Sequence, residues 1–166
     1  MESEATVSAG TAGERAHSER AFEFLAEGPM LEVAPLFGAH KERAWAPDWD
    51  PCFIWPARAE DRPGMVFTVS GPHGTAVWVN TRFELQDGHV QYAYVLESAM
   101  STLITLRITP RGEHTHVAVT YRRTALKPHA DAWVAHMAEL DAKAGEEWAA
   151  QINAYLAARY AYLGAR

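Results

Sequence analysis

Two runs of alternating residues flank Asp87-Gly88, and this stretch constrains the fold more than any other. An Asp-Gly pair readily takes the positive φ angles of a two-residue type I′ turn, so residues 77–96 are expected to form a tight hairpin. Counting outward from the turn opposes Leu85 to Val90, Phe83 to Tyr92, Thr81 to Tyr94 and Val79 to Leu96. Side chains alternate along a strand, so all of these share one face. The other face sets Trp78, Asn80, Arg82 and Glu84 against Glu97, Val95, Ala93 and Gln91, and is largely polar. A slip of one residue would mix the faces, so the pattern specifies its register. The inward face carries hydroxyls and no charge, as a core or a cavity wall would.

A second hairpin turns at Pro110-Arg111-Gly112-Glu113, with Ile108, Leu106, Ile104 and Thr102 opposing Thr115, Val117, Val119 and Tyr121. Its back pairs Arg107 with His116, Thr105 with Ala118 and Leu103 with Thr120. From about residue 131 to 162 no proline interrupts the chain. Trp133, Met137, Leu140, Ala144, Trp148, Ile152, Tyr155 and Leu156 recur there at helical spacing and predict one long amphipathic helix. Gly145 is its weak point, costing about 1 kcal/mol relative to alanine. Upstream, 17–24 reads as a strand with Phe22 and Phe24 on one face. Residues 29–37 read as a short helix stopped by Gly38, with a further turn or two through 40–44. Residues 52–55 and 65–70 read as strands, the inward face of the second left open between Val66 and Phe67. The order of strand, two short helices, antiparallel strands and one long helix is an α+β architecture, in which only the C-terminal helix is large enough to cover the sheet. Residues 1–16, rich in Ser, Ala, Gly and Glu, are expected to be a disordered tail ahead of a single domain over 17–166.

The net charge of −6 lacks the basic stripe that nucleic-acid phosphates call for and opposes docking on an anionic membrane. Neither partner is expected. One cysteine excludes an intrachain disulfide and fits a cytoplasmic setting. No stretch reads as a signal peptide or approaches the length of a transmembrane helix.

This order resembles the helix-grip fold of the SRPBCC superfamily, which includes START-like, birch-pollen-allergen-like and polyketide cyclase proteins. The resemblance runs from about Arg20 to Leu163. It rests on the helical 33–37 after the first strand, then Glu42-Arg43-Ala44-Trp45-Ala46-Pro47-Asp48-Trp49, Pro63-Gly64-Met65-Val66-Phe67, Trp78-Val79-Asn80-Thr81-Arg82-Phe83, and Val117-Ala118-Val119-Thr120-Tyr121 leading into Thr124-Ala125-Leu126. It looks most like an uncharacterised bacterial branch, with Asp48 where a glycine would be expected. The resemblance implies a curved antiparallel sheet wrapped around the long C-terminal helix, with two short helices after the first strand. For activity it is broad, spanning lipid carriers, hormone binders, aromatase/cyclases and stress-response proteins.

Reactive motifs are sparse. His114 and His116 point to one face of a strand, as a metal site needs, but that face is outward and no third ligand is evident. His129 and His136 lie off the apolar stripe and read as surface residues. Asp48 and Asp50 flank Trp49 in a turn-rich loop, where a turn role fits better than paired acid–base work. Cys52 reads as a buried inert thiol. No nucleophile elbow, phosphate-binding glycine loop or zinc-protease helix is present, so no metal or cofactor is expected. What remains is the inward polar set Thr81, Tyr92, Tyr94, Thr102 and Tyr121.

With Phe83, Ile104, Val119, Trp133, Met137, Trp148 and Ile152, that set forms the candidate wall for a hydrophobic or aromatic small molecule, or a lipid, held between sheet and helix. Trp45 and Trp49, stiffened by Pro47, form a candidate gate at one mouth. Two other functions stay open. One is a cyclase or dehydratase using the cavity tyrosines, which would need a titratable group of perturbed pKa in the cavity. The other is a protein-interaction module using Trp78 and Leu103 on the outer sheet face. A homodimer is left open, as is catalysis itself.

Overall fold

The computed structural model describes residues 13–165. The expected tail therefore lies outside the described residues over 1–12, while the Ala16 N–H donates to Asp131 Oδ1 at 2.8 Å and Arg15 pairs with the same carboxylate. Seven strands make one antiparallel sheet in the order β1-β7-β6-β5-β4-β3-β2. They are β1 (His17–Ala26), β2 (Cys52–Trp55), β3 (Val66–Gly71), β4 (Gly74–Glu84), β5 (His89–Leu96), β6 (Met100–Arg111) and β7 (His114–Ala125). The first strand thus returns to pair with the last. The long helix α2 (Asp131–Gly164) packs against β1 and β7.

The other half of the sheet is covered by the segment between β1 and β2. Only Met30–Val33 of the expected helix over 29–37 is α-helical (α1); Pro35 lies in a tighter 3₁₀ turn, Ala34–Phe37, and a second 3₁₀ turn spans Lys41–Ala44. Phe37 and Trp45 from this segment pack on Trp148 of α2, with ring centroids 6.2 and 5.4 Å away.

Both expected registers shift. Residues Leu85–Asp87 form a 3₁₀ turn closed by Gly88 in the left-handed region (φ 67°), so the loop has four residues and the last pair is Glu84 with His89. A bulge at Thr81 then inserts one unpaired residue and reverses the faces of β4 beyond it. Tyr92 faces Asn80 instead of Phe83, Tyr94 faces Trp78 instead of Thr81, and Leu96 faces Ala76. Thr81 is exposed and Trp78 is turned inward, the reverse of the expectation for both. In the second hairpin the turn is only Gly112-Glu113, with Gly112 at φ 61°. Every partner moves by two: Ile108 opposes Val117, Ile104 opposes Tyr121, and Thr102 opposes Arg123. The inward parity of β5, β6 and β7 survives this shift, but a guanidinium joins the inner face.

The stripe on α2 also differs. Its buried line runs through Val134, Ala138, Asp141, Gly145, Ile152 and Leu156, while Leu140 is half exposed. Gly145 sits where a Cβ would come within 3.2 Å of the Phe22 ring, so the helix lies close on β1. Phe67, not Val66, faces the core from β3, and the alternation of β2 leaves Cys52 exposed rather than buried. Asp48 holds φ 61°, a left-handed conformation that glycine adopts freely and aspartate tolerates.

Candidate functional site

Between the sheet and its two covers lies a cavity of about 100 Å³. Its walls are Phe67, Trp78, Tyr92, Ile104, Leu106 and Tyr121 from β3 to β7, Trp148 from α2, and Phe37, Glu42 and Trp49 from the covering segment. A second hollow of about 220 Å³ opens to the surface between residues 45–49 and Glu147, Trp148 and Gln151. Glu42, Trp49 and Trp148 line both, so these three side chains separate the inner cavity from the outer mouth.

Two tyrosines face this space with different availabilities. The Tyr92 hydroxyl donates to the Phe37 carbonyl at 2.9 Å and accepts from the Ala39 N–H at 3.0 Å, so it is used in tying the covering segment to β5. The Tyr121 hydroxyl has no hydrogen-bond partner among the described residues. The Arg123 guanidinium lies 4.6 Å from the Tyr121 ring centroid. Burial raises the pKa of both phenols well above the ordinary value, for Tyr121 against the opposing pull of Arg123, so both remain proton donors.

Glu42 is the cavity's titratable group. Its carboxyl is enclosed by protein, although the residue keeps some surface where it edges the outer mouth. The carboxyl makes no hydrogen bond to any described residue. Burial, with repulsion from Asp61, pushes its pKa up to about 8. It is therefore mostly a neutral acid near pH 7. Asp61 is also raised by burial, against backbone N–H bonds from His40 and Lys41; the His40 N–H lies 2.9 Å from its Oδ1. Further polar atoms nearby are unmatched. The Trp78 indole N–H is buried without a partner, and wholly buried Asn80 sits beside Tyr92 with no sound hydrogen bond at Nδ2 or Oδ1.

Beyond the cavity, toward the start of α2, Arg123 forms a two-pronged pair with Asp141: Nε to Oδ2 is 2.6 Å and Nη2 to Oδ1 is 2.7 Å. Arg123 also donates to the Tyr94 hydroxyl and, at 3.2 Å, to Thr102 Oγ1. Burial lowers the Arg123 pKa, but its bonds to Asp141 outweigh this and hold it charged. On the far side, Met100, Ala125, Ala130 and Val134 form a separate small core.

The expected wall residues divide accordingly. Tyr92, Ile104, Tyr121 and Trp148 line the cavity. Val119 and Ile152 lie in the surrounding core, with Phe83 against it. Tyr94 and Thr102 are bound to Arg123. Trp133 and Met137 flank the far core, where Trp133 meets His73 at 4.4 Å. Thr81 lies outside, its hydroxyl on Gln91. Trp49 lines both hollows and donates from Nε1 to the Ala39 carbonyl at 2.7 Å; Trp45 is buried and donates to the Leu36 carbonyl at 2.7 Å. Glu42 and the Arg123–Asp141 pair were not foreseen. Asp141, four residues after Met137 on the expected apolar stripe, was the readable sign of the second.

On the outer face His116 pairs with Glu23 at 2.9 Å, while His114, His129 and His136 are exposed. Among the described residues no three His, Cys, Asp or Glu side chains gather as a metal site, and no helix is long and apolar enough to cross a membrane.

No family model and no curated protein matches this chain in sequence. Solved structures do. A norcoclaurine synthase point mutant from Thalictrum flavum, solved with a transition-state analogue, superposes with a TM-score of 0.62 at 10% identity, over 87% of this chain and 98% of that one. The chain has the helix-grip fold. Ara h 8.0201 matches with a TM-score of 0.60 at 13% identity, over 86% and 99% of the two chains. CalU16 from Micromonospora echinospora matches at 0.60 and 16% identity, over 92% and 83%.

Proposed function

We propose that this protein binds a small hydrophobic or aromatic molecule in the cavity walled by Phe67, Trp78, Tyr121 and Trp148, and that the molecule enters past Trp49. One observation carries the reading. The cavity is lined by aromatic rings, yet presents a carboxyl and a phenol hydroxyl that no protein group engages. Apolar contact with a few convergent polar atoms is what a small-molecule site requires. At about 100 Å³ the closed cavity is below the ~300 Å³ at which drug-sized sites begin, so a ligand of that size needs the outer mouth as well. Trp49 is the wall shared by both, half-buried and held by one indole hydrogen bond and edge contacts to Phe67 and Trp78; Trp45 is buried among Phe37 and Trp148 and lines only the outer hollow.

Titration with toluene, followed by NMR line broadening, tests this reading. Saturable binding is expected, with Trp49→Ala speeding exchange far more than it lowers the melting temperature. Absence of saturable binding in both proteins refutes the site. A steep fall in melting temperature with unchanged exchange refutes the gate.

A second reading, an enzyme that moves a proton, is favoured by Glu42. A carboxyl poised near pH 8 in a partly closed cavity suits general acid–base work, with the Tyr121 hydroxyl as an added donor. Turnover of carbonyl substrates that vanishes in Glu42→Gln while toluene still binds would select it over simple binding.

A further inference from the structure

We propose that the cavity is a receptor for a small organic ammonium group, which takes the Glu42 carboxylate as its counter-ion and the surrounding indole and phenol rings as its walls. The inference rests on the reading that this cavity takes a ligand, and adds the ligand's charge.

Ring geometry is the first support. Trp49 meets Trp78 at 80° and Phe67 at 79°, with centroids 5.4 and 6.0 Å apart, and Phe67 meets Tyr92 at 79°. These rings pack edge to face on one another, and with Phe37, Tyr121 and Trp148 they surround the cavity, whose one lining carboxyl is Glu42. Ring faces carry negative quadrupole density and attract cations, indole most strongly.

Charge is the second. Glu42 faces Asp61 from the loop before β3, Tyr92 from β5 and Tyr121 from β7; at the outer mouth it is accompanied by Asp48 and by Glu147 from α2. None of these is a cation. The guanidinium of Arg123 stands behind Tyr121, but it is bound on both prongs to Asp141. Among the described residues the cavity lining holds one carboxyl and no base, while His40 and Lys41 stand by Asp61. Anionic ligands are disfavoured, and an ammonium supplies the missing partner.

Size is the third. A dry cavity of about 150 Å³ accommodates benzene. One of about 100 Å³ is tighter, so a methylated ammonium, itself about the bulk of benzene, seats with part of the ligand in the outer mouth.

The rival is a neutral carbonyl compound accepting a hydrogen bond from protonated Glu42. The two differ in the sign of their pH dependence. An ammonium binds the ionised carboxyl and gains affinity as Glu42 loses its proton; a carbonyl acceptor loses affinity over the same range. The test titrates the full chain with tetramethylammonium chloride and with neutral tert-butanol, by tryptophan fluorescence or calorimetry, at about pH 6 and about pH 9. With Glu42 titrating near 8, its ionised fraction rises from roughly one in a hundred to nine in ten. Tetramethylammonium affinity is expected to rise by up to about 100-fold over this range, and Glu42→Gln to abolish that rise. The wild-type pH series stands even if the variant fails to fold. Binding of tert-butanol without tetramethylammonium, or ammonium affinity indifferent to pH, overturns the inference and leaves the ligand cavity intact. Failure of both probes at both pH values overturns the cavity reading as well.

Discussion

Replacing Glu42 with glutamine keeps the shape of the side chain and removes a proton whose loss the fold opposes. In the unfolded chain this carboxyl titrates near 4.5, in the folded one near 8. Between those values the folded state holds more protons than the unfolded state, so stability falls as pH rises. The contribution is fully present below about pH 4.5 and is lost by pH 8 and above. At about 1.4 kcal/mol per pH unit, full enclosure would make the loss ~5 kcal/mol. Contact with the outer mouth screens part of this, and about 2–4 kcal/mol is the expected size. Urea unfolding of wild type and Glu42→Gln at about pH 5 and about pH 9 measures it. The two proteins should be of similar stability at the lower pH, and the variant more stable by that amount at the higher. Asp61, also raised, adds a decline of the same sign to both proteins and cancels in the comparison. If the two proteins lose stability in parallel, Glu42 titrates like a surface acid and the argument from its burial is wrong.

Asp141→Ala strands the Arg123 guanidinium in the interior and should cost about 3–5 kcal/mol in urea unfolding, whereas replacing both members with leucine should cost much less. Gly88→Ala places a side chain in a left-handed turn and against the Ile108 carbonyl, and should lower stability by more than about 1 kcal/mol, read as a fall in melting temperature. Thr81→Ala alters only an exposed bulge residue; stability should stay within about 0.5 kcal/mol and toluene affinity should not change.

The alternation in β5, β6 and β7 was legible because each strand keeps strict parity, and it placed Val90, Tyr92, Ile104, Leu106, Val117 and Val119 inside. Register was not, because it depends on turn length. Asp87-Gly88 looks like a complete turn, but Leu85 and Gln86 join it, and the bulge at Thr81 has no sequence mark of its own. Thr81 and Trp78 exchanged faces for that reason. The 3₁₀ turns that bring Phe37, Glu42 and Trp49 to the cavity are too short to show a period. Glu42 escaped notice because its acidity is set by enclosure, which no local pattern records. Arg123 was within reach: it stands two residues beyond Tyr121 on the same face.

The Arg123–Asp141 crosspiece sets a ruler inside the fold. Together with Tyr94 and Thr102 it spans from sheet to helix and stands between the main core around the cavity and the small core beyond it. A guest lying lengthwise along α2 would have to part the ion pair. At about 3–5 kcal/mol that exacts a penalty of between about two and four orders of magnitude in affinity. On the reading that the cavity takes a ligand, compact molecules escape that penalty and long acyl chains do not, a selection by length set by the framework before the ligand's own chemistry is met.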